Sequence, residues 1–347
     1  MSSHARLTHY QLAGRSILLD PKGVRLFIIL ISLICLVAIL SLSLGSYYVS
    51  PQGVLSVFFS DSADSMDQFI VADLRLPRVI AGLAAGIGFG LSGATFQSLS
   101  HNPLASPDII GVTAGASMGA VVSLILFDAN GIGVALGAMT GIIITTLSIG
   151  FLSWNKHFDP NRFILVGIGV GLTLFAAIDY LLSRSDIMNA GDAYQWLLGS
   201  LNASNQNDLY LGLLSTPLLL LAAFWVSSRL DKLSLGIDIA QSHGIAVTKV
   251  RACAVIVALI ATTIAVYISG PVSFIALAAG PITRQILGKG PAVFLSALMG
   301  GFLLLSADLL ARMTFAPLEL PVGLFTAILG GIFLIWMLIQ QSNKGML

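Results

Sequence analysis

Between Arg251 and Arg284 the chain reads ACAVIVALIATTIAVYISGPVSFIALAAGPIT (residues 252–283), without one Asp, Glu, Lys or Arg. One crossing of a bilayer core takes roughly 20 apolar residues. The stretch is therefore too long for one helix and short for two ordinary ones. Ser269-Gly270-Pro271 breaks it, because proline lacks the amide donor and clashes with the preceding turn. A full-length apolar helix before Gly270 and a shorter one after it are expected.

The rest of the chain has the same character. Of its 347 residues 56% are hydrophobic and 10% charged, with a mean hydropathy of +0.93. A soluble domain carries about 25% charged residues, so this chain cannot cover a water-facing surface of ordinary size. Disorder, a disulfide-rich secreted fold and a nucleic-acid-binding surface are excluded together. The net charge of +1, from 17 basic and 16 acidic residues, points to no polyanionic partner. Cys35 and Cys253 lie in apolar runs without metal-ligand spacing and read as small buried hydrophobes.

Apolar runs suggest ten spans: 26–44, 79–99, 109–127, 131–154, 163–182, 209–226, two across the interrupted stretch, 291–312 and 322–340. The fold class is thus all-α and polytopic. Residues 1–25 and 341–347 read as cytoplasmic tails around one membrane domain, 26–340, with a long inner loop at 229–251. A cytoplasmic N-terminus leaves only Arg75, Arg78, Arg184 and Arg312 of the 17 basic residues outside, so the positive-inside bias places both termini inside. The first span lacks a nearby small-residue cleavage site and reads as retained. Internal repetition is faint, limited to Gly82–Gly86 and Ala276–Gly280, which chance explains about as well as an inverted repeat.

Glycines recur every four residues at Gly82, Gly86 and Gly90; at Gly111, Gly115 and Gly119; and at Gly133, Gly137 and Gly141. Helices in lipid associate by close packing, which glycine permits; a glycine-lined conduit is compatible with that role. Asp179 and Asp308 are the acids well inside apolar runs, both toward outer ends. Asp308 and Arg312 stand four apart and can pair. The lack of midplane ionisable groups argues against an ion-coupled secondary carrier.

Gly288-Lys289 is followed by Gly290 rather than Ser or Thr, so it is no phosphate-binding loop. Any ATP-driven motor is expected on another chain. His101, His157 and His243 stand singly in loops, and His4 and His9 in the tail, as solvated histidines. Neither catalysis, a cofactor nor a metal site is expected.

Four polar segments stand out. Arg75-Leu76-Pro77-Arg78, with Arg312, would make a positive spot on the outer face, as interfacial anchors or as docking points for acidic residues of a soluble partner. His101–Asp108 is a tight inner turn in which Asn-Pro and Ser-Pro force non-helical backbone and Asp108 meets a helix N-terminus. Asp238–Gly244 reads as a short exposed helix stopped by glycine and suited to contact with another protein. Ala316–Gly323 is an outer turn.

These segments bring a family into view. R-L-P-R at Arg75–Arg78, S-G-A-x-F-Q at Ser92–Gln97, N-P-L-A-x-P at Asn102–Pro107, G-x-x-x-G-A at Gly111–Ala116, A-D-L-x-A-R at Ala307–Arg312 and E-L-P-V-G at Glu319–Gly323 stand in order. From about Leu26 onward the chain resembles the FecCD-type permeases, membrane subunits of ABC importers for iron–siderophore complexes, haem and cobalamin. F-Q-S-L at Phe96–Leu99, S-P-D-I-I-G at Ser106–Gly111 and G-P-V-S-F-I-A-L at Gly270–Leu277 lean toward ferric-catecholate members.

The resemblance implies a type II importer permease of ten helices in the cell inner membrane. Its partners would be a second permease, usually a different chain in enterobactin-type systems, two cytoplasmic ATPase subunits and a periplasmic binding protein. Arg75, Arg78 and Arg312 match docking positions, and Asp238, Ala240 and Gly244 match the ATPase-coupling pattern. Asn102, Leu104 and the turn around Asn161 match positions near the cytoplasmic gate. The cargo would be a ferric siderophore of catecholate type, with haem or cobalamin as the alternative. One departure stands out: the family's A-P-H/Q-I-x-R is here Ala279-Gly280-Pro281-Ile282-Thr283-Arg284, so proline replaces a polar side chain.

Overall fold

The computed structural model describes residues 8–12, 15–60, 64–153, 160–234, 236–242, 244–288, 290–314 and 318–343. A two-stranded antiparallel hairpin comes first, β1 (Thr8–Leu12) paired with β2 (Arg15–Leu19) so that Thr8 faces Leu19 and Leu12 faces Arg15. The sequence reading has only a polar tail there. The first helix, α1 (Pro21–Ser43), also starts earlier than the apolar run. Asp20 accepts from the Lys22 amide at 3.3 Å and Pro21 opens the turn, which together form an N-terminal cap.

Next come α2 (Pro51–Phe59), α3 (Ser65–Gln68), a π-helical stretch (Phe69–Arg75) and α4 (Leu76–Ser100). They are followed by α5 (Val112–Phe127), α6 (Ile132–Leu152), α7 (Pro160–Arg184) and α8 (Ile187–Leu197). The chain continues with α9 (Gln206–Leu233), α10 (Ile237–Ser242), α11 (Val247–Ser269), α12 (Ile275–Leu287), α13 (Val293–Thr314) and α14 (Val322–Asn343). Seven helices among the described residues are long and apolar enough to cross a membrane; α5, α12 and the apolar part of α14 are shorter. These ten correspond to the ten expected spans. Helices α2 and α8 are additions, too short and too polar at their edges to register as crossings.

The break in the uncharged stretch falls where glycine permits it. Helix α11 ends at Ser269, Gly270 takes φ +68°, and α12 starts at Ile275 after five residues outside any helix.

Helix α4 is the hub, buried on nearly all sides and packed against α9, α11, α12 and α13. Its glycines let those neighbours come backbone to backbone. A Cβ on Gly86 would lie 2.5 Å from the Gly300 carbonyl oxygen of α13, and one on Gly88 2.7 Å from the Ala261 carbonyl of α11. Gly90 meets Ser296, and Gly93 presses on the Ala276 carbonyl of α12. Gly82 is looser, against Leu201 and Leu305 side chains. The α5–α6 pair is built alike: Gly115 meets Gly141 and Thr145, and Gly119 meets Gly137, whereas Gly133 touches only Ala129 of its own turn. Gly111, at φ +83°, sits against Gly167 and Gly171 of α7.

Cys35 and Cys253 are both exposed on the outside of the bundle, contrary to the expectation of burial. An apolar run in a membrane chain has a lipid-facing side, which periodicity does not separate from the packed side.

Candidate functional site

At one end of the bundle three arginines converge, and they are not the open positive spot that the sequence suggests. Arg75, Arg78 and Arg312 are 7%, 7% and 6% exposed. Arg78 comes from the first turn of α4, started by Pro77. Its Nε and Nη2 donate to Asp308 of α13 at 2.8–3.1 Å, Nη1 donates to Glu319 at 2.6 Å, and Nη2 also reaches Asn202 at 2.7 Å. Arg312 lies 3.4 Å from Asp308 through Nε and donates to Ser41. Arg75 donates to the carbonyls of Leu42 at 2.6 Å, Ser43 at 3.0 Å and Tyr47, satisfying the open C-terminus of α1.

The physical reason for the correction is desolvation. A guanidinium enclosed by helix ends must find acceptors within the chain, and carbonyls and carboxylates are at hand. Asp308 and Glu319 pair directly with the guanidiniums, Asp67 acts on Arg75 from further off, and Glu319, 43% exposed at its side chain, is the open edge of the cluster.

At the opposite end of α4, Gln97 resolves the proline departure. Pro281 has no amide to give the carbonyl four residues back, Leu277. Gln97 Nε2 donates to that carbonyl at 2.9 Å, and Gln97 Oε1 accepts from Arg284 Nη2 at 2.7 Å. Gly280 makes room, since a Cβ there would collide with Gln97 Oε1. Sequence reasoning names Gln97 only as part of a motif; the freed carbonyl was readable from Pro281, its partner 180 residues away was not.

A cavity of about 610 Å³ opens below Gln97, lined also by His101, Ser234, Arg251 and Arg284. The adjoining turn is held by Asn102, whose Oδ1 accepts from the Leu104 amide at 2.9 Å. Asn102 is exposed and Leu104 partly so. Asn161 lies in the first turn of α7 and the structure describes its backbone only.

Asp108 precedes α5 by four residues, accepts from Thr113 Oγ1 at 2.9 Å and also takes the Phe274 amide at the start of α12. The residue is partly exposed, but its carboxyl end is enclosed, and that burial raises its pKa to about 6 against the opposing pull of the two hydrogen bonds. With Thr113, Ser117, Asp179, Tyr194 and Ser273 it lines a cavity of about 200 Å³. Among the described residues no three His, Cys, Asp or Glu side chains group as metal ligands.

Helix α10 forms in the long loop and ends before Gly244, which takes φ +72°. Asp238 is exposed and Ala240 turned inward, 2% exposed. His157 and His243 lie outside the described residues.

Comparison with known proteins places this architecture. Residues 33–340 match the FecCD transport family. The chain is 38% identical over 318 residues to the ferric enterobactin transport system permease protein FepG of Escherichia coli, covering 91% of this chain and 96% of that one. It is 32% identical to the iron(3+)-hydroxamate import system permease protein FhuG of Bacillus subtilis, covering 89% and 95%. It is also 32% identical to the vitamin B12 import system permease protein BtuC of Vibrio cholerae, covering 91% and 94%. A metal-chelate type ABC transporter solved in an inward-facing conformation superposes with a TM-score of 0.77 at 26% identity, over 91% of this chain and 99% of that one. Motifs, ten apolar helices and near-complete coverage agree, and the chain belongs to the FecCD transport family.

Proposed function

We propose that the chain carries a ferric siderophore of catecholate type through the inner membrane. Membership in the family makes it the membrane-channel component of an ABC importer, with ATP hydrolysis in a separate subunit. The observation that carries the finer reading is the 38% identity to a ferric enterobactin permease across 91% of the chain. A vitamin B12 permease at 32% supplies the rival cargo. The decisive experiment reconstitutes the importer in proteoliposomes and measures ATPase stimulation by a binding protein loaded with ferric catecholate, haem or cobalamin. Stimulation by the catecholate form alone is expected; stimulation by cobalamin or haem alone would falsify the cargo assignment. Uptake that persists without the ATPase and follows a proton gradient would overturn the importer mechanism.

In this reading both termini are cytoplasmic. Helix α10 engages one of two ATPase subunits through its exposed side at Asp238, while Ala240 seats it on the bundle and Gly244 ends it, so its displacement tilts α9 and α11. The Asn102–Leu104 turn and the start of α7 at Asn161 close the cytoplasmic side. A second permease, a different but related chain, completes the pathway against the exposed face of α7, where Leu165, Leu172 and Phe175 lack cover. Docking of a periplasmic binding protein falls at the end of the bundle that Arg75, Arg78 and Arg312 build, with contact through the open edge where Glu319 meets Arg78. Since Glu319 already occupies Arg78, an acidic residue of the binding protein competes with it. Glu319→Gln is therefore expected to tighten docking severalfold in a binding titration, and a weakened complex would remove these arginines from the interface.

A further inference from the structure

The cavity below Gln97 has a chemistry that the transport reading leaves unused, and we infer that it binds a phosphate-type oxyanion. Arg251 at the start of α11, Arg284 near the end of α12 and His101 line it, whereas the Ser98 and Ser234 hydroxyls donate to the Ala94 and Asp231 carbonyls. Among the described residues no carboxylate lines it. Arg284 is partly buried and, among the described residues, gives one hydrogen bond, to Gln97. A guanidinium has five donors in a planar fork, so Arg284 keeps most of its donors without an acceptor among the described residues. Arg251, also partly buried, has no ion pair there. Asp231 stands near Gly290 at the rim, where its carboxylate accepts from Ser227. Two half-desolvated cations without a counter-charge are costly, and an oxyanion able to take both forks relieves that cost.

The volume of about 610 Å³ admits a phosphate group with attached substituents, so the anion can be free phosphate or the headgroup of an anionic lipid. The full chain, purified in phosphate-free detergent, is titrated with inorganic phosphate against chloride at equal ionic strength while thermal unfolding is followed. In parallel it is placed in nanodiscs of phosphatidylglycerol or phosphatidylcholine. Stabilisation by inorganic phosphate identifies the free anion as ligand, and stabilisation by phosphatidylglycerol alone identifies the headgroup. In either case Arg251→Gln and Arg284→Gln are each expected to weaken the effect roughly ten- to hundredfold. Arg251→Gln leaves the Gln97 hydrogen bonds in place and so separates ligand loss from local unfolding. No stabilisation in either medium, or an effect that survives Arg251→Gln, overturns the proposal. So does a cavity that responds only to the ATPase subunit, which would make it a seat for a protein carboxylate.

Discussion

A single amide, that of Gln97, holds together two features that look like faults when read separately. Pro281 interrupts a membrane helix, and Arg284 brings a charge three residues later; Gln97 serves one with its nitrogen and the other with its oxygen. Gln97→Leu leaves a carbonyl and a guanidinium unsatisfied at once. A loss of about 2–4 kcal/mol is expected in thermal or denaturant unfolding, with Gln97→Glu milder because the pairing to Arg284 survives. Asp308 matters more. It stands between Arg78 and Arg312, and Asp308→Asn would leave two buried cations underpaired, costing about 3–5 kcal/mol. Asp108 gives a pH signature. Its folded pKa of about 6 exceeds the unfolded value of 3.8, so the folded state holds the proton more tightly. Stability from this group is full below about pH 4 and is lost as pH rises through 6; Asp108→Asn is expected to flatten that slope in melts taken from pH 4 to 7. At this scale the sequence is a poor guide. It exposes which residues are charged and which amides are missing, but pairings such as Arg78 with Asp308 depend on a fold closed across 230 positions.

Helices are where sequence and structure agree best, for a physical reason. A span in lipid must satisfy its own backbone, so an uncharged run of sufficient length has one available conformation, and the stop at Ser269 follows from Gly270-Pro271. The α2 and α8 segments escape because, at nine and eleven residues, they are too short to register as crossings. The α4–α12 crossing is tight enough to test. Gly93→Ala drives a methyl into the Ala276 carbonyl, with no flexible side chain to yield, and is expected to cost about 3 kcal/mol or more. Gly169→Ala, where the space is open, should not destabilise and gains up to about 1 kcal/mol from the helix propensity of alanine; comparing the two in one unfolding assay distinguishes contact from composition.

Taken whole, the molecule is densely packed on one side and bare on another. The most apolar stretch of the Ser65–Ser100 segment, which contains α4, is 89% buried and that of α7 17%, although both are apolar, and hydropathy does not separate lipid-facing from protein-facing surface. If a second permease covers α7, cysteines placed at Leu172 and Phe175 should cross-link to it in the intact importer and be poorly labelled by lipid-phase maleimides. Free labelling at both positions would assign that face to lipid.

The backbone-to-backbone contact in the middle of the α4–α13 seam has a mechanical corollary. Where Gly86 and Gly90 touch Gly300 and Ser296, no rotamers exist to take up slack, so these two rods cannot ratchet past each other by small steps. They behave as a rivet. Whatever movement a motor subunit imposes must then emerge at the periphery, as a swing of loosely held rods about a spine that keeps its shape.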